Sequence, residues 1–196
     1  MVSKKGEAGI GTLILFIALI LVAAVAAGVL IQTSNTLQSK ALSTGSKAKT
    51  QVSTAAQFTT VFAEDSGTDS DLDYFFAEMK LAPGSDPIKL DDTLVEFILK
   101  DNSSDLSYNS ETTCNTAGAS SAGTSAFNVE YLINASQHRA GYIQTGDVIK
   151  LCFQGVREVA EDEDVKISFI PKTGSIAQIT MSTPETITSS KVYLFP

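Results

Sequence analysis

The sequence predicts an α+β protein in which a long, hydrophobic N-terminal α-helix is followed by an all-β sandwich. The first observation is an uncharged apolar stretch, Ile10–Ile31, near the start of the chain. The second is that short segments rich in β-branched and aromatic residues, separated by Gly, Pro, Asn or Asp, follow one another after residue 71. The chain therefore has a helical part and a β part.

Length and charge limit the functions that the chain can have. Its 196 residues suffice for one or two domains, and the part beyond the helix, roughly 130–150 residues, is the size of one ordinary domain. The formal net charge of -8 makes nucleic acid an unfavourable partner. Residues 1–60 carry several lysines and a single acid, Glu7, so the acidic residues are concentrated in the β part.

The apolar stretch Ile10–Ile31 is hydrophobic on every side, which excludes an amphipathic surface helix. At about 22 residues it is long enough to cross a bilayer as a helix. It must therefore be covered, either by lipid or by copies of the same chain.

The residues before the apolar stretch suggest how the precursor is handled. Lys4 and Lys5 fit the positive-inside rule, which places the rest of the chain outside the cell. The apolar core is too long for an ordinary secretory signal peptide. Two alternatives remain: a cut after Gly6, just before Glu7, which keeps the apolar stretch in the mature protein, or an uncut N-terminal anchor.

The helix is expected to continue beyond the apolar stretch. Between Gln32 and Thr60 there is no proline and only one glycine, Gly45. Small and apolar residues recur with helical spacing, which predicts one helix to the mid-fifties, roughly 70 Å long. Such a stripe favours close packing by other helices, although a stalk that lifts a domain off a membrane is the alternative. The stripe consists of Leu30, Leu37, Ala41, Ala48, Val52 and Ala55.

An acidic loop connects the helix to the strands. The alternation of Asp69, Asp71 and Asp73 is compatible with a weak calcium site. However, Tyr74 stands where an EF-hand loop needs glycine, and Lys80 stands where it needs glutamate. A solvated loop is therefore the simpler interpretation, and we predict no metal and no cofactor.

The second half of the chain is predicted to form about seven strands without an intervening helix, which is typical of a β-sandwich. The polar segment Ser110–Ser125 is predicted to be an exposed loop. The predicted strands are Leu72–Leu81, Thr93–Leu99, Phe127–Ile133, Val148–Phe153, Val165–Ile170, Ile176–Ser182 and Lys191–Phe195.

Two kinds of covalent modification fit this β part. Asn102 and Asn134 each begin an Asn-x-Ser triplet, the acceptor pattern for N-glycosylation outside the cell. Cys114 and Cys152 would form a disulfide in an oxidising compartment. That bridge would contribute roughly 3–4 kcal/mol by loop closure; two unpaired thiols are the alternative.

No catalytic constellation is visible in the sequence. His138 is the single histidine, so a site with several histidine ligands cannot form. No Gly-x-Ser-x-Gly elbow or phosphate-binding glycine loop is present. The acidic run Glu161–Asp164 is interpreted as a solvated turn, and we predict that the chain is not an enzyme.

Several of these segments resemble the archaeal flagellins (archaellins), a family related to type IV pilins. The densest match is at the N-terminus, in Lys4–Gly6, Gly9–Ile14 and Leu21–Ala27. Shorter matches follow in the family's order, at Leu37–Gln38, Lys40–Ala41, Ser43–Gly45, Leu81–Ile88, Gly146–Val148, Thr183–Glu185 and Lys191–Pro196.

The resemblance implies a division of the chain and a function. Residues 1–6 would be a signal peptide removed by a prepilin-peptidase-like enzyme, residues 7–57 a helix in a filament core, and residues 58–196 an outer immunoglobulin-like domain, frequently N-glycosylated. Glu7 departs from the small or amide residue usual at the first mature position. Gly11 stands where bacterial type IV pilins carry glutamate, which favours the archaellin branch.

The function implied is that of a homo-oligomeric, helical filament that rotates for swimming and adheres to surfaces. Its partners would be the membrane before assembly and the motor and assembly platform of the archaellum. The helix residues expected to pack in the filament core are Ile10, Leu13, Phe16, Ile17, Leu21, Ala24, Ala27, Gly28, Leu30, Leu37 and Ala41.

Three other functions are compatible with parts of the sequence. An archaeal adhesion pilin would have the same helix and sandwich but would not rotate. A monomeric, membrane-anchored β-sandwich that binds a ligand would need no filament. A secreted hydrolase is disfavoured because the catalytic residues are missing.

Overall fold

The computed structural model describes residues 4–65, 71–110 and 113–196. The chain divides into two compact units, the first ending at Ala48 and the second comprising Lys49–Pro196. The first unit is helical, whereas the second contains the last turn of that helix and the β-sandwich. The predicted fold class, a long N-terminal helix followed by an immunoglobulin-like sandwich, is confirmed.

The first helix, α1, extends without interruption from Lys4 to Ser53. Its 50 residues correspond to about 75 Å at 1.5 Å per residue. The single long helix is confirmed, but its predicted end at residue 57 is wrong, because strand β1 already begins at Ala56.

Hydrogen bonds from the sandwich end α1 earlier than its sequence suggests. The Ala55 amide donates to Ser85 Oγ at 3.1 Å, and the Ala55 carbonyl accepts from the Ala82 amide at 2.8 Å. The Thr54 carbonyl accepts from the Ser175 amide at 2.8 Å. These partners, distant in sequence, replace the next helical bonds, which a periodicity argument cannot foresee.

Nine strands hydrogen-bond in the order β10-β9-β4-β5-β6-β8-β2-β1-β11, and β3 and β7 form a separate pair. Strands β5 and β6 run parallel and pair only at Ser107–Ala126 and Tyr108–Phe127. The sheet therefore divides there into two halves. The described strands are β1 Ala56–Glu64, β2 Leu72–Leu81, β3 Ile88–Lys89, β4 Thr93–Leu99, β5 Ser103–Tyr108, β6 Ala126–Ile133, β7 Tyr142–Ile143, β8 Val148–Val159, β9 Asp164–Pro171, β10 Ala177–Ser182 and β11 Lys191–Phe195.

The main core lies between the two halves of the sheet. Phe97 on β4 lies 4.7 Å from the ring of Phe75 on β2 and 5.4 Å from that of Phe153 on β8, measured between centroids. All three side chains are fully buried. Because aromatic rings bury large apolar areas, this cluster contributes strongly to holding the halves face to face.

All seven predicted strands are present in the structure, but four strands and a helix were missed, and two of these strands, β3 and β7, have only two residues each. Strand β5 is polar in sequence, and Leu106 is its one buried residue, so it carries little hydrophobic signal. Strand β1 was assigned partly to the helix. The segment predicted as an exposed loop contains a helix, α2, at Thr116–Ala122, in which Ala119 is fully buried.

An ion-pair cluster fixes two turns at one end of the sandwich. Arg157 on β8 donates to Asp101 in the β4–β5 turn, with a Nη2–Oδ1 distance of 2.6 Å, and also donates to both carboxylate oxygens of Glu163. The Glu163 side chain is only 13% exposed, whereas Glu161, Asp162 and Asp164 are exposed. The predicted solvated turn therefore describes three of the four acids, and Glu163 is the exception. The hydrogen bond from Arg157 lowers the pKa of Asp101, and the two carboxylates raise the pKa of Arg157.

We expect Phe97→Ala to lower the free energy of unfolding by about 3–5 kcal/mol, because it removes a buried ring and leaves a cavity. Guanidinium denaturation of the fragment 49–196 measures this change. Leu94→Ala is the matched control, since Leu94 lies on the same strand but is 44% exposed; it should cost much less. Equal losses from the two variants would contradict the position of Phe97 in the core.

We expect Asp101→Asn to destabilise the sandwich at pH 7 and to do so progressively less as the pH falls below the ordinary pKa of aspartate. The pKa of Asp101 is lower in the folded chain than in the unfolded one. The ion pair therefore stabilises the fold above the unfolded pKa, near 3.9, and this contribution is lost as pH falls through the folded pKa. Denaturant midpoints at several pH values measure the difference, with Asp105→Asn as the control. A difference that does not depend on pH would exclude this role of Asp101.

Candidate self-association interface

The apolar part of α1 has no cover within its own unit. Every large apolar side chain from Ile10 to Ile31 exposes between 49% and 69% of its surface. In the described part of the chain, α1 is the one helix long and apolar enough to cross a membrane. Burying one such side chain is worth about 1.5–3 kcal/mol, so this surface requires lipid or protein around it.

Three threonine hydroxyl groups of α1 do not prevent such burial, because they bond to the helix itself. Thr12 Oγ1 donates to the Gly9 carbonyl at 2.9 Å, and Thr36 Oγ1 donates to the Gln32 carbonyl at 2.9 Å. Thr33 Oγ1 donates to carbonyls of the preceding turn. A hydroxyl bonded in this way can enter an apolar environment without losing a partner.

Small residues give α1 a surface that another helix can approach closely. Ala23, Ala24, Ala26 and Ala27 are followed by Gly28, and a Cβ atom built on Gly28 would meet nothing within 4 Å. Small residues of this kind allow backbones to pack tightly in apolar surroundings. The residues predicted to pack in the core, from Ile10 to Ala41, all lie on α1 and are all exposed.

The predicted processing site lies at the start of α1. Lys4, Lys5, Gly6 and Glu7 form the first turn of the helix, and the first three residues of the predicted signal peptide lie outside the described residues. The helical conformation of these residues does not test the cut after Gly6, which therefore stays a prediction.

The structure contains the predicted disulfide between Cys114 and Cys152. Cys152 lies on β8, and Cys114 lies just before α2, so the bridge attaches α2 to the sheet. Together with Ala119 of α2 and Phe76 of β2, the bridge forms a second buried cluster. Since neighbouring residues of a strand point to opposite faces, Phe76 faces this cluster while Phe75 faces the main core. Apart from the two cysteines, no residue pattern predicted the second cluster.

The two glycosylation triplets lie at exposed positions. Asn102 is in the turn between β4 and β5, where its Oδ1 accepts the Ser103 amide at 2.9 Å. Asn134 directly follows β6. Both asparagines are exposed, as a glycan acceptor must be, and their occupancy stays a prediction.

His138, the single histidine of the sequence, lies in the loop after β6 beside Tyr131 and Asp147. His138 Nδ1 lies 3.7 Å from Asp147 Oδ2, and the buried Asp147 carboxylate accepts the Ala135 amide at 2.7 Å. Tyr131 donates to the Tyr142 carbonyl, and burial raises its pKa to about 12. These contacts hold the loop after β6.

The weak calcium site has no support in the described residues. Asp69 lies outside them, and Asp71 and Asp73 belong to no group of three or more His, Cys, Asp or Glu side chains that could hold a metal ion within the described ranges.

Comparison with known proteins places this geometry among filament proteins. The model of the family "Archaeal-type flagellin" matches residues 6–181. Flagellin B1 of Thermoplasma volcanium is 42% identical over 109 residues, which cover 54% of this chain and 44% of that protein, so this match spans less than half of the relative. Flagellin B2 of Halobacterium salinarum is 31% identical over 186 residues, which cover 94% of this chain and 91% of that protein.

A solved structure shows the same fold over nearly the whole chain. It is the archaeal flagellum of Methanospirillum hungatei strain JF1, with a TM-score of 0.70 and 12% sequence identity, covering 95% of this chain and 99% of the other. At that identity the likeness concerns the fold, including the long helix and the sandwich.

We expect the double variant Cys114→Ala, Cys152→Ala to be less stable than the unaltered chain by about 2–5 kcal/mol. The bridge closes a loop between residues 38 positions apart. Guanidinium denaturation with and without dithiothreitol measures the effect. The reductant should destabilise the unaltered protein and leave the double variant unchanged; a double variant as stable as the oxidised protein would show that the bridge does not stabilise the fold.

Proposed function

The chain belongs to the archaeal-type flagellin family, and from this premise we propose that α1 holds it in the core of a cell-surface filament while the sandwich forms the outer layer. Like its family, the chain is a structural filament subunit and not an enzyme, and its filament is extracellular. The single observation that carries the proposal is the uncovered apolar surface of α1, from Ile10 to Ile31.

Before assembly, we place Ile10–Ile31 in the lipid of the cytoplasmic membrane. Assembly then moves this segment from lipid to the helices of neighbouring subunits. Because both environments are apolar, the hydrophobic effect contributes little to that transfer. Close packing at the small residues Ala23 to Gly28 supplies the preference for the filament.

Loss of a subunit from the filament into water is a different transfer. It would expose about a dozen large apolar side chains, each worth about 1.5–3 kcal/mol. The gross cost is tens of kcal/mol, and it is an upper estimate because an unfolded or aggregated chain also hides some of this surface. A filament can therefore be built from the membrane at little hydrophobic cost and still be stable in water.

The proposal also covers how the precursor is processed and which partners receive the subunit. A prepilin-peptidase-like enzyme would remove residues 1–6, leaving Glu7 at the mature N-terminus, and the archaellum motor and assembly platform would receive the subunit. Glycans would be attached at Asn102 and Asn134. The exposure of both asparagines supports this last step.

The decisive experiment is electron microscopy of filaments sheared from cells that express this chain as their sole flagellin. Mass spectrometry of the same filaments identifies the first mature residue and any glycopeptides. Filaments composed of this protein, lost together with swimming when its gene is deleted, are the expected result. Filaments without any effect on swimming would identify an adhesion pilin, and a dispersed monomer would exclude the filament altogether.

We expect Gly6→Leu to leave the precursor uncut, because the peptidase would have to accommodate a branched side chain next to the cleaved bond. Electrophoretic mobility and the N-terminal peptide mass measure the effect. Gly45→Leu, the same substitution within α1 but far from the cut, should be processed normally. Normal processing of Gly6→Leu would refute the assigned cut.

We expect Ala24→Leu to abolish filaments while the subunit remains in the membrane, because added methylenes at a close helix contact cost about 1–3 kcal/mol per contact, repeated along the filament. Ala24→Ser keeps the side chain small and should assemble normally. Filament yield and membrane fractionation are the measurements. Normal filaments from Ala24→Leu would contradict packing at this position.

A further inference from the structure

The sandwich has two opposite ends, and only one of them adjoins the end of α1. Strand β1 begins at Ala56, beside the end of α1, and finishes at Glu64. Its nine residues separate the two ends by about 30 Å. The helix end comprises residues 49–55, 80–92, 134–147 and 171–176, and the far end comprises residues 64–65, 71–73, 100–102, 157–164 and 183–191.

Hydrogen bonds between loops give each end a fixed shape. At the helix end, Thr145 Oγ1 donates to the Ser85 carbonyl at 3.1 Å, which joins two loops that are 60 residues apart. At the far end, the Asp65 amide donates to the Ser190 carbonyl at 2.9 Å. The charged side chains on each end are therefore held near one another by the fold.

The far end is strongly acidic. Its described residues include eleven carboxylates but only three basic side chains, and two of the bases already form ion pairs with carboxylates at the same end. Asp162, Asp164 and Glu185 are exposed and form no ion pair with any described residue. The far end thus presents negative charge that its own bases do not neutralise.

The helix end has the opposite balance. It carries five basic and four acidic side chains, but two of the lysines are paired with neighbouring aspartates, and the carboxylate of Asp147 is fully buried. Among the described residues of this end, one exposed acid, Asp86, lacks an ion pair, against three exposed cations, Lys49, Lys80 and Arg139. The charge that the helix end presents to another molecule is therefore positive.

We propose that the far end of one sandwich faces the helix end of a second copy, so that the outer domains stack head to tail. This inference rests on the proposed filament and gives its outer layer a direction. Two far ends placed together would oppose unpaired carboxylates, whereas a far end against a helix end brings opposite charges together. Because two different surfaces meet, the contact is heterologous, and contacts of this type continue into open helical assemblies.

The two ends select the orientation of the subunits, and α1 supplies their cohesion. Exposed ion pairs add little affinity, whereas the apolar surface of α1 is large. Charge complementarity acts mainly by rejecting wrong arrangements and by fixing the register of the correct one. A subunit inserted upside down would bury its helix equally well but would place like charges against its neighbour.

Zero-length cross-linking of intact filaments tests this contact. A carbodiimide joins a lysine amine directly to a carboxylate that touches it, and peptide mass spectrometry of the sheared filaments identifies the joined residues. We expect bonds from Lys49 or Lys80 to exposed acids of the far end, namely Asp162, Asp164 and Glu185. Since the two ends of one chain are about 30 Å apart, such a bond can only join two copies.

The ion pair of Lys150 with Glu130, 2.6 Å apart within one chain, is the internal control. Its cross-link should form in filaments and in subunits dispersed by detergent, whereas bonds between the two ends should form in filaments alone. Filaments that show the internal bond without bonds between the ends would overturn the head-to-tail contact. Bonds from the helix-end lysines only to acids outside the far end would overturn it as well. Either result would leave the filament itself intact.

A matched pair of charge reversals gives an independent readout. Lys80 and Lys100 are both exposed but lie at opposite ends. Lys80→Glu should lower the yield of sheared filaments at least about threefold, because it sets a carboxylate against the far end at every repeat. Lys100→Glu changes the net charge equally, yet it adds to an end that is already acidic and should leave the yield nearly unchanged. Equal yields would overturn the contact, whereas an unaltered chain that forms no filaments would refute the proposed function itself.

Discussion

A single constraint governs this molecule: the apolar surface of α1 cannot be covered by the helix's own unit. The uncharged segment of α1 is longer than a bilayer is thick, so its apolar surface has only two stable surroundings, lipid or other protein, and outside the membrane it needs protein. The self-bonded hydroxyls of Thr12 and Thr36 and the open space at Gly28 are consistent with either surrounding. The helix is thus suited to pass from one to the other without a change of its own structure.

The sandwich meets the opposite requirement, since it must fold by itself in water. It does so with two apolar layers. Phe75, Phe97 and Phe153 join the sheet halves, and the disulfide with α2 covers Phe76 on the other face. Alternate residues of β2 face the two layers. Strand β2 is therefore buried along nearly its whole length. A small domain gains stability from this second layer that a single core would not supply.

Much of the fold could be predicted from the residue patterns of short sequence segments. The apolar run specified α1, and Leu72–Leu81 and Thr93–Leu99 were predicted with their observed bounds because aromatic and β-branched composition and flanking turn residues agree there. The features that the sequence analysis missed have a common cause, which is contact between residues that are distant in the sequence. The end of α1 is decided by Ser85 and Ser175, which are remote in sequence. Strand β5 is held by its neighbours rather than by hydrophobic residues, and α2 is buried through a bridge to Cys152. The candidate interface was predictable for the same reason as α1, because one uninterrupted segment forms it.

Charge is distributed unequally between α1 and the sandwich, and this difference bears on how subunits associate. The acids of the chain are concentrated in the sandwich, and between Glu7 and Lys40 there is no charge at all. Like charges on neighbouring outer domains repel, which disfavours unspecific contact between sandwiches. Association through an uncharged surface avoids this repulsion, and the apolar part of α1 is such a surface. An arrangement that placed unpaired carboxylates of the sandwich against the apolar part of α1 would be disfavoured by the cost of burying their charge, which adds specificity to association through the helix.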